Sequence, residues 1–458
     1  MTESIFNREL IDKYDKAGPR YTSYPTAVQF TTEFTREDYI EAAKKSNESG
    51  RDLSLYFHIP FCDTICFYCG CNKIITKNRK RSLPYVDHML HEIELQAPLF
   101  DRKRKVKQLH WGGGTPTFLS RDEMKMVMDK TAENFTLLPN DEGEYSIEVD
   151  PREANADTVR FLRSIGFNRL SMGVQDFNPK VQVAVNRIQP KEITLETLHA
   201  ARDCGFSSIS VDLIYGLPFQ TVDTFNQTLE EMIEISPDRL SVFNYAHMPH
   251  LFKTQKQMNA EDMPKPEEKL LILKNIIERL TDAGYVYIGM DHFAKPTDQL
   301  AIAQREGNLY RNFQGYSTHS DCDLVGMGLS SISQIGNIYA QNVKDMPDYE
   351  AALQGNQLPI WRGVTLTPED ELRRHIITEL MCNLKLDINE ISQRFNMDAK
   401  EYFKIELEDL RAMEPDGLIV VDGDTYHVQD RGRLLIRNIG MVFDGYLQKN
   451  DQRFSRVI

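Results

Sequence analysis

Residues 53–75 read LSLYFHIPFCDTICFYCGCNKII. Leu53, Leu55, Phe57 and Ile59 alternate with Ser54, Tyr56 and His58. A period of two predicts a strand with one apolar face. Pro60 ends it, because proline has no N–H to give a ladder. Cys62, Cys66, Cys69 and Cys71 follow within ten residues, four of the seven cysteines in the chain. The stretch is therefore a strand carrying a thiol-rich loop at its C-terminal end.

Outward from this stretch, a strand-then-helix unit recurs six times up to about residue 250. The strands are LSLYFHI, KQLHWGG, EYSIEVD, NRLSMGV, SISVDLI and RLSVFNY. Such alternation implies parallel strands joined by crossover helices. Six units are too few for an eightfold barrel, so the expected fold is α/β, a partial (β/α)6 parallel-strand barrel. Tyr145, Ile147 and Val149 oppose Ser146, Glu148 and Asp150, and Ile209, Val211 and Leu213 oppose Ser210 and Asp212. The apolar sides should meet the helices. The small and polar sides should line a hollow interior, richest towards the C-terminal strand ends, where barrel enzymes keep their sites.

Residues 1–50 are expected to form an N-terminal extended and helical segment. GPRYTSYPTA (Gly18 to Ala27) is a loop whose Arg20, Tyr21 and Tyr24 are candidates to line a ligand site. Thr35 with Asp38 predicts a capped helix. Residues 51–363 hold the barrel and its extension. Within it, DLVGMGLSSISQIG (Asp323 to Gly336) reads equally as a turn or as backbone packed against a ligand. Residues 364–458 are expected to form a mainly helical, winged-helix-like domain. It starts at the Thr367, Pro368 and Asp370 cap and runs as one helix to about Leu386. A hairpin turns at Asp422–Asp424, and RGRLLIRNIGMVFDGYL reads as a last helix.

The 458 residues are 41% hydrophobic and carry a net charge of −14. That charge opposes general nucleic-acid binding but not capture of a small anion in a local basic pocket. The start MTESIFNREL lacks the apolar core of a secretory signal. No apolar run approaches the ~20 residues that span a bilayer. Cysteines without a pairing pattern point to a reducing compartment, so the expected location is the cytoplasm.

Four thiols suggest two metals. Zinc usually takes two separated Cys-x2–4-Cys pairs, and here there is no second pair. An iron–sulfur cluster is the other common all-thiolate site. Three cysteines on a four-iron cluster would leave one iron open for chemistry.

Cys-x3-Cys-x2-Cys, with Tyr68 before the third cysteine, resembles the signature of the radical S-adenosylmethionine superfamily. HWGGGTP (His110 to Pro116) resembles its glycine-rich segment. YFHIPFCxxxCxYCGCN, GPRYTSYPTA, SIEVDPRE, RLSMGVQDF, DLIYGLP, FNYAHMP, GMDHFA and FSRVI resemble the oxygen-independent coproporphyrinogen III oxidase family nearly end to end.

The resemblance implies that Cys62, Cys66 and Cys69 bind a [4Fe–4S] cluster, and that two S-adenosylmethionine molecules occupy the site. Tyr56, Gly113, Glu148 and Ile332 match positions contacting the first. Tyr68, Gly114, Thr115, Gln175, Arg187, Asp212 and Ala246 match positions contacting the second. Cys71 is tied to activity rather than to the cluster, and Tyr56 and Glu148 stand with it as catalytic candidates. Tyr68 departs from the phenylalanine of some relatives and adds a hydroxyl. The implied reaction converts two propionates of coproporphyrinogen III to vinyl groups, giving protoporphyrinogen IX for haem. A 5′-deoxyadenosyl radical performs it, and the chain is expected to act as a monomer. The rival readings are a haem chaperone and a haem-opening methyltransferase of the same superfamily.

Several residues have plainer readings on their own. Arg187 reads as a surface arginine, and Asp212 and Glu148 as structural carboxylates. His58 and His110 read as oriented core histidines. Arg20 is the candidate for gripping a substrate carboxylate. Lys77 to Arg81 read as a solvated basic face or as the dock of an acidic electron donor such as a flavodoxin.

Overall fold

The structure is a computed structural model that describes residues 5–14 and 16–447. The FSRVI motif lies outside the described residues. The chain divides into two compact units. One holds Phe30–Lys269 and Asp321–Thr365. The other joins the described residues up to Gln29 with Leu270–Ser320 and those from Leu366 on. This partition cuts across the consecutive segments 1–50, 51–363 and 364–458.

The six expected strands are present in the first unit. They are β1 (Asp52–Ile59), β2 (Lys105–Gly113), β3 (Glu144–Val149), β4 (Arg169–Gln175), β5 (Ser208–Tyr215) and β6 (Arg239–Asn244). They lie side by side in chain order, and every neighbouring pair is parallel. The helices between them include α1 (Ser82–Gln96), α2 (Arg121–Asn134), α3 (Ala156–Ser164), α4 (Lys191–Asp203) and α5 (Val222–Ile235). Ser120 caps α2 and Thr221 caps α5, each in a reciprocal box with the residue three on. Burial alternates along β3 and β4 as their sequences require, with Tyr145, Ile147, Val149, Leu170, Met172 and Val174 inside the core.

The segment that sequence left open is a strand-turn-strand. β7 (Cys322–Met327) is a seventh parallel strand on the free side of β1, with Leu53 opposite Asp323 and Tyr56 opposite Gly326. β8 (Ile332–Ile335), β9 (Ile338–Asn342) and β10 (Ile360–Thr365) continue the sheet antiparallel. The partial barrel thus has more strands than its six βα repeats. A buried carboxylate fixes the turn between β7 and β8. Glu92 accepts from the Gly328 N–H (2.8 Å), the Tyr349 hydroxyl (2.6 Å) and Asn342 Nδ2 (2.8 Å). Tyr85 ties the same turn to β1: it donates to the His58 carbonyl (2.7 Å) and accepts from the Leu329 N–H (3.0 Å).

In the second unit Tyr21 and Tyr24 are core residues. Tyr21 donates to Asp444 (2.8 Å), and Tyr24 accepts from the Gly445 N–H (3.0 Å). Thr367 caps a helix with Asp370 as expected, but that helix is Pro368–Thr378 and stops short of Leu386. A wider turn, Glu379–Asn383, follows. Leu384 takes φ 57°, and Lys385–Asp387 then pairs with Thr425–Val428 as a strand. Ladder pairing overrides the helical pattern there. The hairpin Ile419–Asp422/Thr425–Val428 forms. The last expected helix is two, Asp430–Leu434 and Ile436–Met441, broken at the buried Leu435. Among the described residues no helix is long and apolar enough to cross a membrane.

Candidate active site

The cysteine loop is closed at its base. Phe61–Cys62 pairs in parallel with Ile74–Ile75, and the Ile74 N–H reaches the Pro60 carbonyl at 2.7 Å. Its tip is moored from outside. The Phe67 N–H donates to Val185 O (3.0 Å), Asn186 Nδ2 to Ile65 O (2.7 Å), and Gln255 Nε2 to Tyr68 O (3.3 Å). All seven cysteines are free thiols. Thr115 Oγ1 lies 3.6 Å from Cys62 Sγ, while Arg187 Nη1 and Arg152 Nη2 lie 3.6 and 3.7 Å from Cys66 Sγ. Burial pushes the Cys62 thiol up to about 11. Hydrogen bonding to Cys71 draws Cys69 down to about 6, with help from the Lys73 amine, and pushes Cys71 up. An all-thiolate donor set surrounded by cationic and hydroxyl donors fits an iron–sulfur cluster, whose sulfur charge such hydrogen bonds offset.

The glycine loop is fitted to the same strand ends. The Gly114 N–H donates to Ile59 O (2.8 Å) and the Thr115 N–H to Phe61 O (2.7 Å). Gly113 has φ 107°, and a Cβ there would lie 2.5 Å from the His58 ring, so only glycine suits the position. Its N–H reaches Glu148 Oε2 at 3.2 Å. Glu148 Oε1 meets His110 Nε2 at 3.2 Å, and the His110 ring stacks on Tyr56 with centroids 5.8 Å apart. Burial raises the Glu148 carboxyl, but His110 and the Gly113 amide outweigh it, and the group stays below its usual range. His58 Nε2 faces the Asn72 carbonyl at 2.9 Å and so must donate. Nδ1 is then the acceptor for the Tyr56 hydroxyl at 3.1 Å. Burial lowers His58, consistent with this neutral tautomer.

Arg187 is not a surface arginine: it is 6% exposed. Its guanidinium reaches Asp150 Oδ2 (3.0 Å), Gly173 O (2.6 Å), Gln189 Oε1 (3.1 Å) and Cys66. Arg152 grips the same Asp150 at 2.6 Å. Burial raises Asp150, yet Arg187 and Arg152 together hold it below the usual carboxylate range. Gln175, at φ 70°, and Asn244 each keep a buried side-chain oxygen without a hydrogen-bond partner among the described residues. Unpaired buried acceptors are costly, so their place at the ends of β4 and β6 suits a bound ligand. Ile332 starts β8, and a Cβ on Gly326, the residue opposite Tyr56, would lie 2.8 Å from its carbonyl. Ala246 is half-buried just beyond β6. Tyr68, Gly114 and Thr115 lie on the two loops. Arg20 belongs to the other unit, where it pairs with Asp291.

Burial and the Glu148 charge push Asp212 up to about 7. A carboxyl raised in the folded state binds its proton longer than the unfolded chain does. Its stabilising effect is complete below the unfolded value of 3.8 and is lost as pH climbs through about 7. We expect Asp212→Asn to flatten the fall in unfolding free energy between pH 5 and pH 8 by on the order of 2 kcal/mol. Denaturant titration of both proteins across that range is the check. Parallel pH profiles would remove Asp212 as the titrating group.

Sequence reasoning underweighted His58 and His110, which orient Tyr56 and Glu148. It did not single out Asp150, Arg152, Lys73 or Asn244. The acid-base pair in SIEVDPRE, at a strand end, was the available signal for the first two.

The radical SAM superfamily model matches residues 56–232, and the HemN C-terminal domain model matches residues 366–435. The chain is 50% identical over 454 residues to an oxygen-independent coproporphyrinogen III oxidase of Pseudomonas aeruginosa, covering 99% of each. It is 50% identical over 453 residues to the one of Escherichia coli K12, covering 98% of each. The solved coproporphyrinogen III oxidase of Escherichia coli, described as a radical SAM enzyme, superposes with a TM-score of 0.92 at 48% identity. That match covers 97% of this chain and 100% of the other. The chain belongs to the oxygen-independent coproporphyrinogen III oxidase family. Full-length identity to the oxidases decides against the chaperone and methyltransferase readings. Like its superfamily it is a radical SAM enzyme, using a [4Fe–4S] cluster and S-adenosylmethionine.

Proposed function

We propose that this chain decarboxylates two propionate side chains of coproporphyrinogen III to vinyl groups. Cys62, Cys66 and Cys69 would hold the cluster. Tyr56, Gly113, Glu148 and Ile332 would hold one S-adenosylmethionine, and Tyr68, Gly114, Thr115, Gln175, Arg187, Asp212 and Ala246 a second. The observation that carries this reading is the pair of loops locked together at the ends of β1 and β2, which brings three thiols beside a glycine cradle and the Glu148 carboxylate. When bound, the cluster and cofactor supply a radical able to take hydrogen from an unactivated propionate carbon.

The protein's own groups do the rest. Arg152 and Arg187 offset thiolate charge at Cys66, and Asp150 fixes both guanidiniums. Glu148 stays ionised and can accept from an ammonium or hydroxyl. Gln175 and Asn244 offer acceptors unpaired among the described residues. Cys71, whose thiol meets Cys69, stands at the loop surface as a catalytic candidate. Segment 51–363 contains every one of these groups, and we take it as the catalytic part. Arg20 must exchange its Asp291 partner to take a substrate carboxylate.

Anaerobic reconstitution with iron and sulfide, then addition of S-adenosylmethionine, coproporphyrinogen III and dithionite, tests the reading. Protoporphyrinogen IX and 5′-deoxyadenosine are the expected products. Deoxyadenosine with no vinyl product overturns the substrate assignment.

We further propose a cytoplasmic monomer reduced by an acidic donor such as a flavodoxin. Free thiols throughout suit a reducing compartment. Lys77, Lys80 and Arg81 are exposed just after the cluster loop, whereas Arg79 is committed to Asp63, Glu153 and the Phe118 ring. Reversing the charge at Lys77, Lys80 and Arg81 together should slow reduction by flavodoxin about tenfold at low salt and leave dithionite reduction unchanged. Equal rates with flavodoxin before and after would refute the docking face.

A further inference from the structure

A tetracarboxylate needs cations, and this chain carries a net charge of −14. The two guanidiniums beside the thiols do not supply them. Arg152 and Arg187 are spent on Asp150 and Cys66. A different feature does. Immediately after Ala246 the chain forms the wall of an open surface cleft of about 650 Å³, lined by His247, Pro249, His250, Lys256, Gln257, Met258, Asn259 and Ala260. One of these eight residues, Lys256, is a cation, His247 and His250 add imidazole donors, and none is acidic.

The lining is held in place from both sides. Lys269 donates to the Tyr245 carbonyl at 2.8 Å, and the Tyr245 hydroxyl meets His247 Nδ1 at 2.9 Å. This orients the imidazole and leaves Nε2 without a protein partner among the described residues. On the far side Gln255 is 2% exposed and bridges two segments. Its Oε1 accepts from the Met248 N–H at 2.6 Å, and its Nε2 donates to the Tyr68 carbonyl of the cysteine loop at 3.3 Å. Phe252 reaches the same loop: a Cβ on Gly70 would stand 3.1 Å from its ring. The cleft wall is therefore built onto the loop that carries the cluster ligands. His250 and Lys256 are exposed and make no ion pair among the described residues. Leu251, between them in sequence, is 63% exposed.

We infer that His247, His250 and Lys256 form a subsite for a propionate carboxylate of coproporphyrinogen III, with Leu251 offering an apolar surface to the macrocycle. An amphipathic ligand with a methyl-bearing ring and anionic arms matches that combination, since charged donors recognise carboxylate and the apolar side chain gains by covering the ring. The inference rests on the proposed substrate. It adds that a propionate not undergoing reaction is held here while another is placed for chemistry. These are positioning residues for substrate, and their loss should weaken substrate affinity without touching the cluster.

The test uses reconstituted full-length enzyme and four variants: His250→Ala, Lys256→Ala, Lys256→Glu and Lys256→Arg. Each alanine should raise KM for coproporphyrinogen III at least about tenfold, the loss of one charge-assisted hydrogen bond, with kcat within about twofold of wild type. The glutamate should raise KM further, and the arginine should restore it. Cluster absorbance and substrate-free cleavage of S-adenosylmethionine should not change, which excludes misfolding. Anaerobic titration with coproporphyrin III, the fluorescent oxidised analogue, should show the same order of affinities. An unchanged KM in both alanine variants, or a lowered kcat at constant KM, overturns the subsite. If wild type alone fails to make protoporphyrinogen IX, the substrate assignment falls, and the subsite with it.

Discussion

Cys66→Ala should yield a protein without the cluster's visible absorbance and with turnover reduced by more than about a thousandfold, equivalent to roughly 4 kcal/mol or more of lost barrier lowering. Cys66 is the thiol on which the site's positive charge converges, with Arg187 and Arg152 both near its sulfur. Removing it deletes a ligand and leaves two guanidiniums facing an empty position. The fold should survive, because both arginines keep Asp150 and Arg187 keeps Gly173 and Gln189. Cys71→Ser is the informative contrast. That thiol is exposed, and its contact is with Cys69 rather than with the arginines. The serine variant should retain its iron and lose porphyrin turnover. Iron and sulfide analysis beside product assay separates the two variants, and iron loss from the serine variant would show that Cys71 helps hold the cluster.

Gly114→Ala should be nearly as damaging without removing any functional group. A Cβ at this position would lie 2.6 Å from the Phe61 carbonyl oxygen and 2.7 Å from the Pro60 carbonyl carbon. Both obstacles are backbone, and Phe61 is fully buried, so nothing can swing aside. The glycine loop must lift from the cysteine loop and break the Gly114–Ile59 and Thr115–Phe61 hydrogen bonds. We expect a stability loss of about 2–3 kcal/mol, typical of forced overpacking. Turnover should fall roughly a hundredfold, the cost of an ångström's misplacement at a reacting centre. Thermal unfolding and the KM for S-adenosylmethionine are the measurements. Wild-type values for both would mean that the loops are not coupled.

The parts of this fold that were legible in the sequence share a cause. β3 and β4 bury one face only, so their side chains alternate and the period shows. β7 is buried on both faces from Cys322 to Met327, leaving no alternation to read. The helix after Thr367 was overextended for the opposite reason. Its apolar pattern persists into a stretch that a distant strand, Thr425–Val428, claims by pairing. In the site, the cysteines announced themselves by spacing. Arg187 did not, because its burial depends on Asp150 and Cys66, which no local pattern connects to it. Nor did the basic cleft wall: His247 lies in FNYAHMP, but His250 and Lys256 follow it with no spacing that ties them to a ligand.

The pairing of β1 with β7 also bears on the order in which the molecule is made. Leu53 finds Asp323 only after some 270 further residues have been synthesised. Until then one edge of the strand bearing the cysteine loop lacks its ladder partner, and the Glu92 and Tyr85 anchors have no turn to hold. Long-range parallel pairing is slow, so the β1–β7 ladder is expected among the late steps of folding, and Glu92 and Tyr85 gain their turn contacts only with it.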